Sequence, residues 1–343
     1  MNAQSTDRDA AEPPRILVAG DANVDLVLRG DVVPRFGQAE QLLSAADLTL
    51  GSSAGIVAHG LARLGVPTAL AACVGDDEFG RFTLARLAEA GVDTSAVIVH
   101  PEAPTGVSVI LSAPADRAIL TLTGAIPALT AAAVEAAAAS AGHVHFASYF
   151  LLAPLAAELP ALLARLRSRG VTTSLDTNWD PAEQWAGLDA VLPQLDILMP
   201  NLEELRAISL ALGGAGGADD IEHARHLAAL GPRVVVKAGR DGGFSVGPDG
   251  RLERAPGLVV DVTDTTGAGD SFDAGYLAAL VAGVGSEAQR LRWATVAGSL
   301  STLGVGGTGA QATRGELEAR LHDGLDSGLD SGLESGLEAG LQA

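Results

Sequence analysis

The stretch DTTGAGDSFDAG, Asp264 to Gly275, decides how the rest of the chain is read. Gly267, Ala268 and Gly269, with almost no side-chain bulk, stand directly before Asp270, and an apolar, Ala-rich run, SFDAGYLAALVAG, follows. That run is expected to be a helix. A helix begins with about four backbone N–H groups that lack partners, and the helix dipole adds to their positive character, so its start is an anion site. Glycine and alanine let such a backbone approach a ligand closely. A carboxylate beside the same anion would repel it, so binding alone does not account for Asp270. As a general base it would take a proton from a hydroxyl while the N–H groups hold the charge of a phosphoryl group in transfer. Read by itself, the pattern also fits a glycine turn with Asp270 capping the helix.

Working outward, apolar strands alternate with helices. RILVAG (Arg15 to Gly20), TALAACVG, HVHFAS, TTSLDTN, LDILMPN and RVVVKAG read as strands. SAGIVAHGLARL (Ser53 to Leu64), EFGRFTLARLAEAG and APLAAELPALLARLRSRG have helical spacing, and Gly65 is the expected stop of the first. This alternation predicts βαβ units and an α/β fold with a mainly parallel sheet covered on both faces. After RILVAG a polar turn, DANVD, is expected before LVL. Two segments break the rhythm. Thr105 to Ala125 reads as two strands around the polar turn APADR, and residues 28–50 read as short strands and turns. Paired, segments 28–50 and 104–124 would make a small β-sheet lid beside a main domain spanning 14–320. Residues 1–13 are polar, lack the apolar core of a signal peptide, and are expected to be a disordered leader. The tail, 321–343, repeats a four-residue unit with glycine, at a cost of roughly 1 kcal/mol per glycine in a helix, so a frayed or disordered tail is expected.

The 343 residues allow one large or two modest domains. Hydrophobic residues make up 48% and aromatics 3%, so the core must be built from Ala, Val and Leu. A net charge of −20 argues against nucleic acid or an anionic membrane as partner. No apolar run reaches the ~18 residues of a membrane span. Cys73, in an apolar run, is expected to be a core thiol, and a lone cysteine rules out a disulfide framework within the chain. Together these point to the cytoplasm.

DTTGAGDSFDAG resembles the C-terminal signature of the PfkB carbohydrate kinases, the ribokinase-like kinases, and the resemblance covers roughly residues 14–314. It implies a doubly wound α/β domain with a small β lid, Asp270 as catalytic base, and Gly267, Ala268 and Gly269 as the anion hole. GDANVDLVL resembles the family's first strand and turn, which implies that Asn23 and Asp25 touch sugar hydroxyls. GSSAGIVAHGLARLG resembles a signature that usually reads Gly-Gly-x-x-x-Asn. Gly51 matches; Ser52 and Ile56 replace the second glycine and the asparagine, removing a sugar-facing amide from the substrate site. His59 is unusual there and more easily read as a packed or surface residue. MPNLEE resembles the Asn-x-x-Glu motif that organises Mg²⁺ and phosphate, largely through water, here Asn201 and Glu204; the same spacing is a capping box. VVVKAGRDGG resembles the nucleotide-side turn, which implies ATP contacts at Lys237, Gly239 and Gly242, and Thr295 stands where the adenine side commonly has Asn. Asp264, with carbonyls near Thr266 and in the Gly304 to Gly309 loop, resembles the monovalent-cation site of potassium-activated relatives.

In SLDTNWDP, Asp176 and Asn178 match the family while Asp180 replaces an arginine, which favours an unphosphorylated sugar. Asp76 is expected to cap the helix after GDDEFGR, and Arg117 to lie on the lid surface. The expected function is ATP-dependent phosphorylation of a hydroxymethyl group on a small ribose- or ketohexose-like sugar, with a homodimer through the lid sheet. A nucleoside kinase, favoured by Ile56, and a catalytically silent sugar-binding protein are the alternatives.

Overall fold

The structure is a computed structural model and describes residues 15–38, 40–113 and 117–326. The expected leader, the centre of the APADR turn and the tail beyond Asp326 lie outside the described residues. Strands, in chain order, are β1 Arg15–Ala19, β2 Asn23–Gly30, β3 Leu43–Leu50, β4 Thr68–Gly75, β5 Val97–His100, β6 Gly106–Ser112, β7 Arg117–Leu122, β8 Ala141–Ala147, β9 Thr172–Asp176, β10 Ile197–Leu198, β11 Arg233–Lys237, β12 Gly243–Val246 and β13 Leu252–Ala255. Helices are α1 Ser53–Arg63, α2 Glu78–Glu89, α3 Ala131–Ala137, α4 Ala153–Ser168, α5 Leu188–Val191, α6 Leu202–Ala211, α7 Asp220–Ala228, α8 Ala268–Val281, α9 Glu287–Ser301 and α10 Arg314–Asp326.

The main sheet has nine strands in the order β13-β12-β11-β10-β9-β8-β1-β4-β5. It is parallel from β11 to β5, and only β12 and β13 run antiparallel. Alternate side chains of β1 enter different cores. Leu17 and Ala19 pack into one buried cluster, and Ile16 and Val18 into another. That is the signature of a sheet buried on both faces. Cys73 is fully buried on β4, as expected of a core thiol.

Strand order reverses between β1 and β8, which flank each other at mid-sheet. Ligands of open α/β sheets bind outside the carboxyl ends of strands at such a reversal. The chain places Asp21 after β1, Ser148 after β8, Asp176 at the end of β9, Asn201 after β10 and Lys237 at the end of β11.

The four strands β3-β2-β6-β7 form the second, small sheet, in which β2 and β6 pair in parallel and the outer pairs are antiparallel. It draws on both segments that break the βαβ rhythm. Three local expectations change. The turn after β1 is only Gly20, Asp21 and Ala22, so Asn23 and Asp25 sit on β2. Asp77, not Asp76, caps α2, accepting from Gly80 N at 2.8 Å, while Asp76 pairs with Arg81. Helix α10 continues past residue 320 to Asp326, into the stretch expected to fray. Gly65 does end α1, at φ 76°.

Candidate active site

Helix α8 starts at Ala268 with Gly267 as its N-cap, at φ 70° in the left-handed region. A side chain there would be strained and would also collide, because a Cβ on Gly267 would lie 2.6 Å from the Cα of Gly307. Ala268 N donates to the Thr265 carbonyl at 3.2 Å, and Ser271 N to the Gly267 carbonyl at 2.9 Å; with no side chain on the cap, the N–H groups of Gly269 and Asp270 are left for a ligand. Asp270 stands in that first turn. It keeps some contact with solvent, yet packed protein strips most of its hydration. Burial, followed by the negative charge of Asp176, pushes its pKa from 3.8 to about 7. Ser53 at the start of α1 donates from Oγ to Asp270 Oδ1 at 2.5 Å.

Below Asp270 lies a buried ion cluster. Lys237 Nζ is 2.6 Å from Asp176 Oδ2 and 3.2 Å from Asp273 Oδ2. Burial alone would discharge this lysine, but the charges of Asp176, Asp273 and Glu204 outweigh it and hold it protonated. Burial works on Asp176 in the opposite direction to Lys237, and the lysine prevails, so Asp176 stays ionised. Asp273, at the longer distance, is pushed well up by burial.

The substrate-side residues meet at the Gly51 turn. Asn23 Nδ2 donates to Asp25 Oδ1 at 3.2 Å, and Gly51 N donates to the Asn23 carbonyl at 3.1 Å. A Cβ on Gly51 would lie 2.2 Å from Asp25 Oδ1, so only glycine admits this approach. Burial, then the charge of Asp21, raises Asp25 to about 7. Asp21 itself accepts from Ser53 N at 3.2 Å and Ala54 N at 3.0 Å, fixing the start of α1.

The nucleotide-side residues line a second part of the crevice. Lys237, Gly239, Gly242, Ala268, Gly269 and Thr295 share a cavity of about 740 Å³. Gly242 has φ 90°, and a Cβ on it would come within 2.2 Å of the Ala255 carbonyl.

Several expected roles change on inspection. Ser52 has φ 68° and spends its hydroxyl on the α1 cap, accepting from Gly55 N at 2.9 Å. Ile56 is buried, and its side chain packs against Gly307. Asp180 accepts from the backbone N–H groups of Ala182, Gln184 and Trp185 and so anchors its loop. Lys237 lines the cavity with its stem, but its ammonium faces two carboxylates rather than open space. Thr295 Oγ1 donates to the Arg292 carbonyl at 3.1 Å within its own helix.

Asn201 and Glu204 form the capping box: Asn201 Oδ1 accepts from Glu204 N, and Glu204 Oε2 accepts from Asn201 N. Burial, then Asp176's charge, raises Glu204 to about 7. Asp264 accepts from Thr266 N and Oγ1 and from Gly306 N, with Arg29 Nη2 at 4.0 Å. Arg117, expected only on the surface, donates from β7 to Thr266 Oγ1 at 3.3 Å, so the small sheet touches the loop before Gly267. The sequence reading missed Asp21, Ser53 and Asp273. Asp273 was the most visible of them, a charge one turn after Asp270 in an otherwise apolar helix.

The structure thus brings a desolvated aspartate in the first turn of a glycine-capped helix next to a cavity of about 740 Å³ and a small second sheet. The pfkB family carbohydrate kinase profile matches residues 14–314. An ATP-dependent ribose-1-phosphate kinase of Halopiger xanaduensis is 31% identical over 317 residues, covering 91% of this chain and 99% of that one. A fructokinase of Klebsiella pneumoniae is 30% identical over 323 residues, covering 90% and 99%. The structure of Arabidopsis thaliana ribokinase complexed with ribose and ATP matches the fold with a TM-score of 0.76 at 23% identity, covering 90% of this chain and 98% of that chain. A Vibrio cholerae fructokinase in fructose-, ADP- and potassium-bound form matches at 0.74, also at 23% identity and with the same coverage. This chain belongs to the pfkB family of carbohydrate kinases, enzymes that phosphorylate sugars at the expense of ATP. Among the described residues, no helix is long and apolar enough to cross a membrane.

Gly51→Ala is expected to displace Asp25 and raise the KM for the sugar about tenfold or more, with a smaller change in kcat. Steady-state kinetics check this; an unchanged KM would remove Asn23 and Asp25 from the sugar site.

Proposed function

We propose that the protein transfers the γ-phosphoryl group of ATP to a hydroxymethyl group of a small, unphosphorylated ribose- or ketohexose-like sugar. The observation that carries this is Asp270, a desolvated carboxylate with its pKa raised to about 7, bonded by Ser53 of the Gly51 turn, while its neighbours Ala268 and Gly269 line the large cavity. Asn23 and Asp25 hold the sugar hydroxyls; a carboxylate can accept from two adjacent hydroxyls. Asp270 takes the proton of the attacking hydroxyl as the P–O bond to ADP breaks. The N–H groups after Gly267 hold the charge that accumulates on the phosphoryl oxygens. Closure of the small sheet as a lid would exclude water, which competes as acceptor. Arg117 on Thr266 is the contact such a closure would use.

Gly239, Gly242 and Thr295 take the nucleotide, and the stem of Lys237 borders its phosphates. Mg²⁺ keeps most of its waters and needs few protein carboxylates, so the donor set fits it although no cluster of three or more acidic, His or Cys residues suited to a metal occurs among the described residues. Glu204 would hold it through water, because the capping box engages only Oε2. Bound Mg²⁺ neutralises charge on the phosphates. A monovalent cation would take loop carbonyls beside Asp264. Asp21 and Asp25 make the sugar side acidic, which favours a neutral substrate over a sugar phosphate. The protein is proposed to act in the cytoplasm. It is also proposed to dimerise through the small sheet, where Leu43, Leu48, Ile119, Leu120 and Leu122 are exposed.

ADP release from Mg-ATP should appear on one free pentose or ketohexose in a panel that includes ribose 1-phosphate and nucleosides, with and without potassium. A signal confined to ribose 1-phosphate or to nucleosides would overturn the substrate proposed. Asp270→Asn should lose at least ~10³-fold in rate and still fold; unchanged turnover would remove Asp270 as base. Sedimentation equilibrium is expected to show a dimer, and a monomer at all micromolar concentrations would contradict the interface.

A further inference from the structure

A second cavity, of about 470 Å³, lies where α1, α2 and β3 meet the loop around Val305 to Gly309. It shares no lining residue with the nucleotide cavity or with the sugar-side groups. Its titratable lining is His59 and Arg63 from α1 and Arg86 and Glu89 from α2, and burial favours the neutral form of His59. In a chain of net charge −20, the lining carries two guanidinium groups and one carboxylate, with Glu316 outside the lining also near Arg63. Arg86 bonds Glu89 and stands 5.7 Å from the centre of the Phe82 ring. Arg63 donates from Nε and Nη2 to the Gln311 carbonyl, at 3.2 and 3.1 Å. A guanidinium has five N–H donors, so these contacts leave both arginines with capacity to bind an anion. Phe82 and Val305 supply apolar wall for the body of a ligand.

The cavity is wired to the catalytic turn in two ways. Gln311 accepts from His59 Nδ1 at 2.6 Å and donates from Nε2 to the Ile56 carbonyl and to Ser271 Oγ, each at 3.0 Å. Ser271 follows Asp270 directly. The wall formed by the loop is shared as well. Gly306 N donates to Asp264 at 3.0 Å, and Gly307 closes on Gly267 at the anion hole.

We infer that this cavity is an effector site for a small organic phosphate of sugar-phosphate size, gripped by Arg63 and Arg86, whose occupancy alters the rate of phosphoryl transfer through Gln311 and the 305–309 loop. The volume lies in the range of small-ligand pockets. The inference does not depend on which sugar is the substrate.

The test is a calorimetric titration of the full chain with ribose 5-phosphate, and separately with inorganic phosphate, for the wild type, Asp25→Ala and Arg86→Ala. Arg86 lies outside the catalytic machinery, so its removal is expected to leave the fold and the rate without effector unchanged. Arg86→Gln, which keeps the stem against Phe82, serves as a second variant. Binding should persist in Asp25→Ala and weaken about tenfold or more in both Arg86 variants. Ribose 5-phosphate should also shift kcat in the wild type and not in Arg86→Ala. Binding lost in Asp25→Ala but intact in the Arg86 variants would mean that the phosphate enters the active site only, and would overturn the inference. So would the absence of binding at millimolar concentrations. The titration is read without turnover, so a failure of the kinase assignment would be seen separately.

Discussion

One buried ammonium holds the crevice together. Lys237 Nζ, at the end of β11, bridges Asp176 at the end of β9 and Asp273 on α8. Two sheet strands and the catalytic helix therefore meet on a single charge. Removing one partner of such a group leaves an uncompensated buried charge, which costs several kcal/mol by general precedent. The cluster also sets the electrostatics around Asp270. After burial itself, the charge of Asp176 is the largest influence raising the pKa of Asp270.

Close backbone approach is the second constraint, and it falls on a few glycines. Gly51 makes room for Asp25, Gly267 for Gly307, and Gly242 for the Ala255 carbonyl. These contacts join segments far apart in the chain: the small sheet's β2 to the α1 turn, and the α8 start to the 305–309 loop. The site holds five carboxyl groups close together, Asp21, Asp25, Asp176, Asp270 and Asp273, with one lysine, Lys237, between Asp176 and Asp273. Such crowding opposes folding, and a protein tolerates it where chemistry requires a base poised near neutrality.

The motif at 264–275 carried most of what was legible in the sequence. The βαβ alternation gave the parallel sheet, and the two segments that lacked it became the small second sheet. Long-range side-chain partnerships were not legible. Ser53 and Asp270 are 217 residues apart, and nothing in GSSAG marks which serine caps the helix and which reaches the base. Asp180 and Ile56 show the opposite error. Each was weighed as a substitution in a substrate site; Asp180 answers to three backbone N–H groups of its own loop, and Ile56, on α1, packs against Gly307 of the distant 305–309 loop. A residue type at a motif position says little about where its side chain turns when local donors compete for it.

The cluster holds the Asp270 carboxyl far above the ordinary carboxylate range, poised near neutrality. Because its folded-state pKa stands above the ordinary 3.8, its contribution to stability is present in the protonated form and is lost as pH rises through about 7. The most direct measurement is a ¹³C NMR titration of the aspartate side-chain carboxyls, with Asp270 assigned by the resonance missing in Asp270→Asn. A midpoint for Asp270 of about 7 is expected. A midpoint near the ordinary value of 3.8 would show that burial and Asp176 do not poise this carboxylate, and would contradict the account.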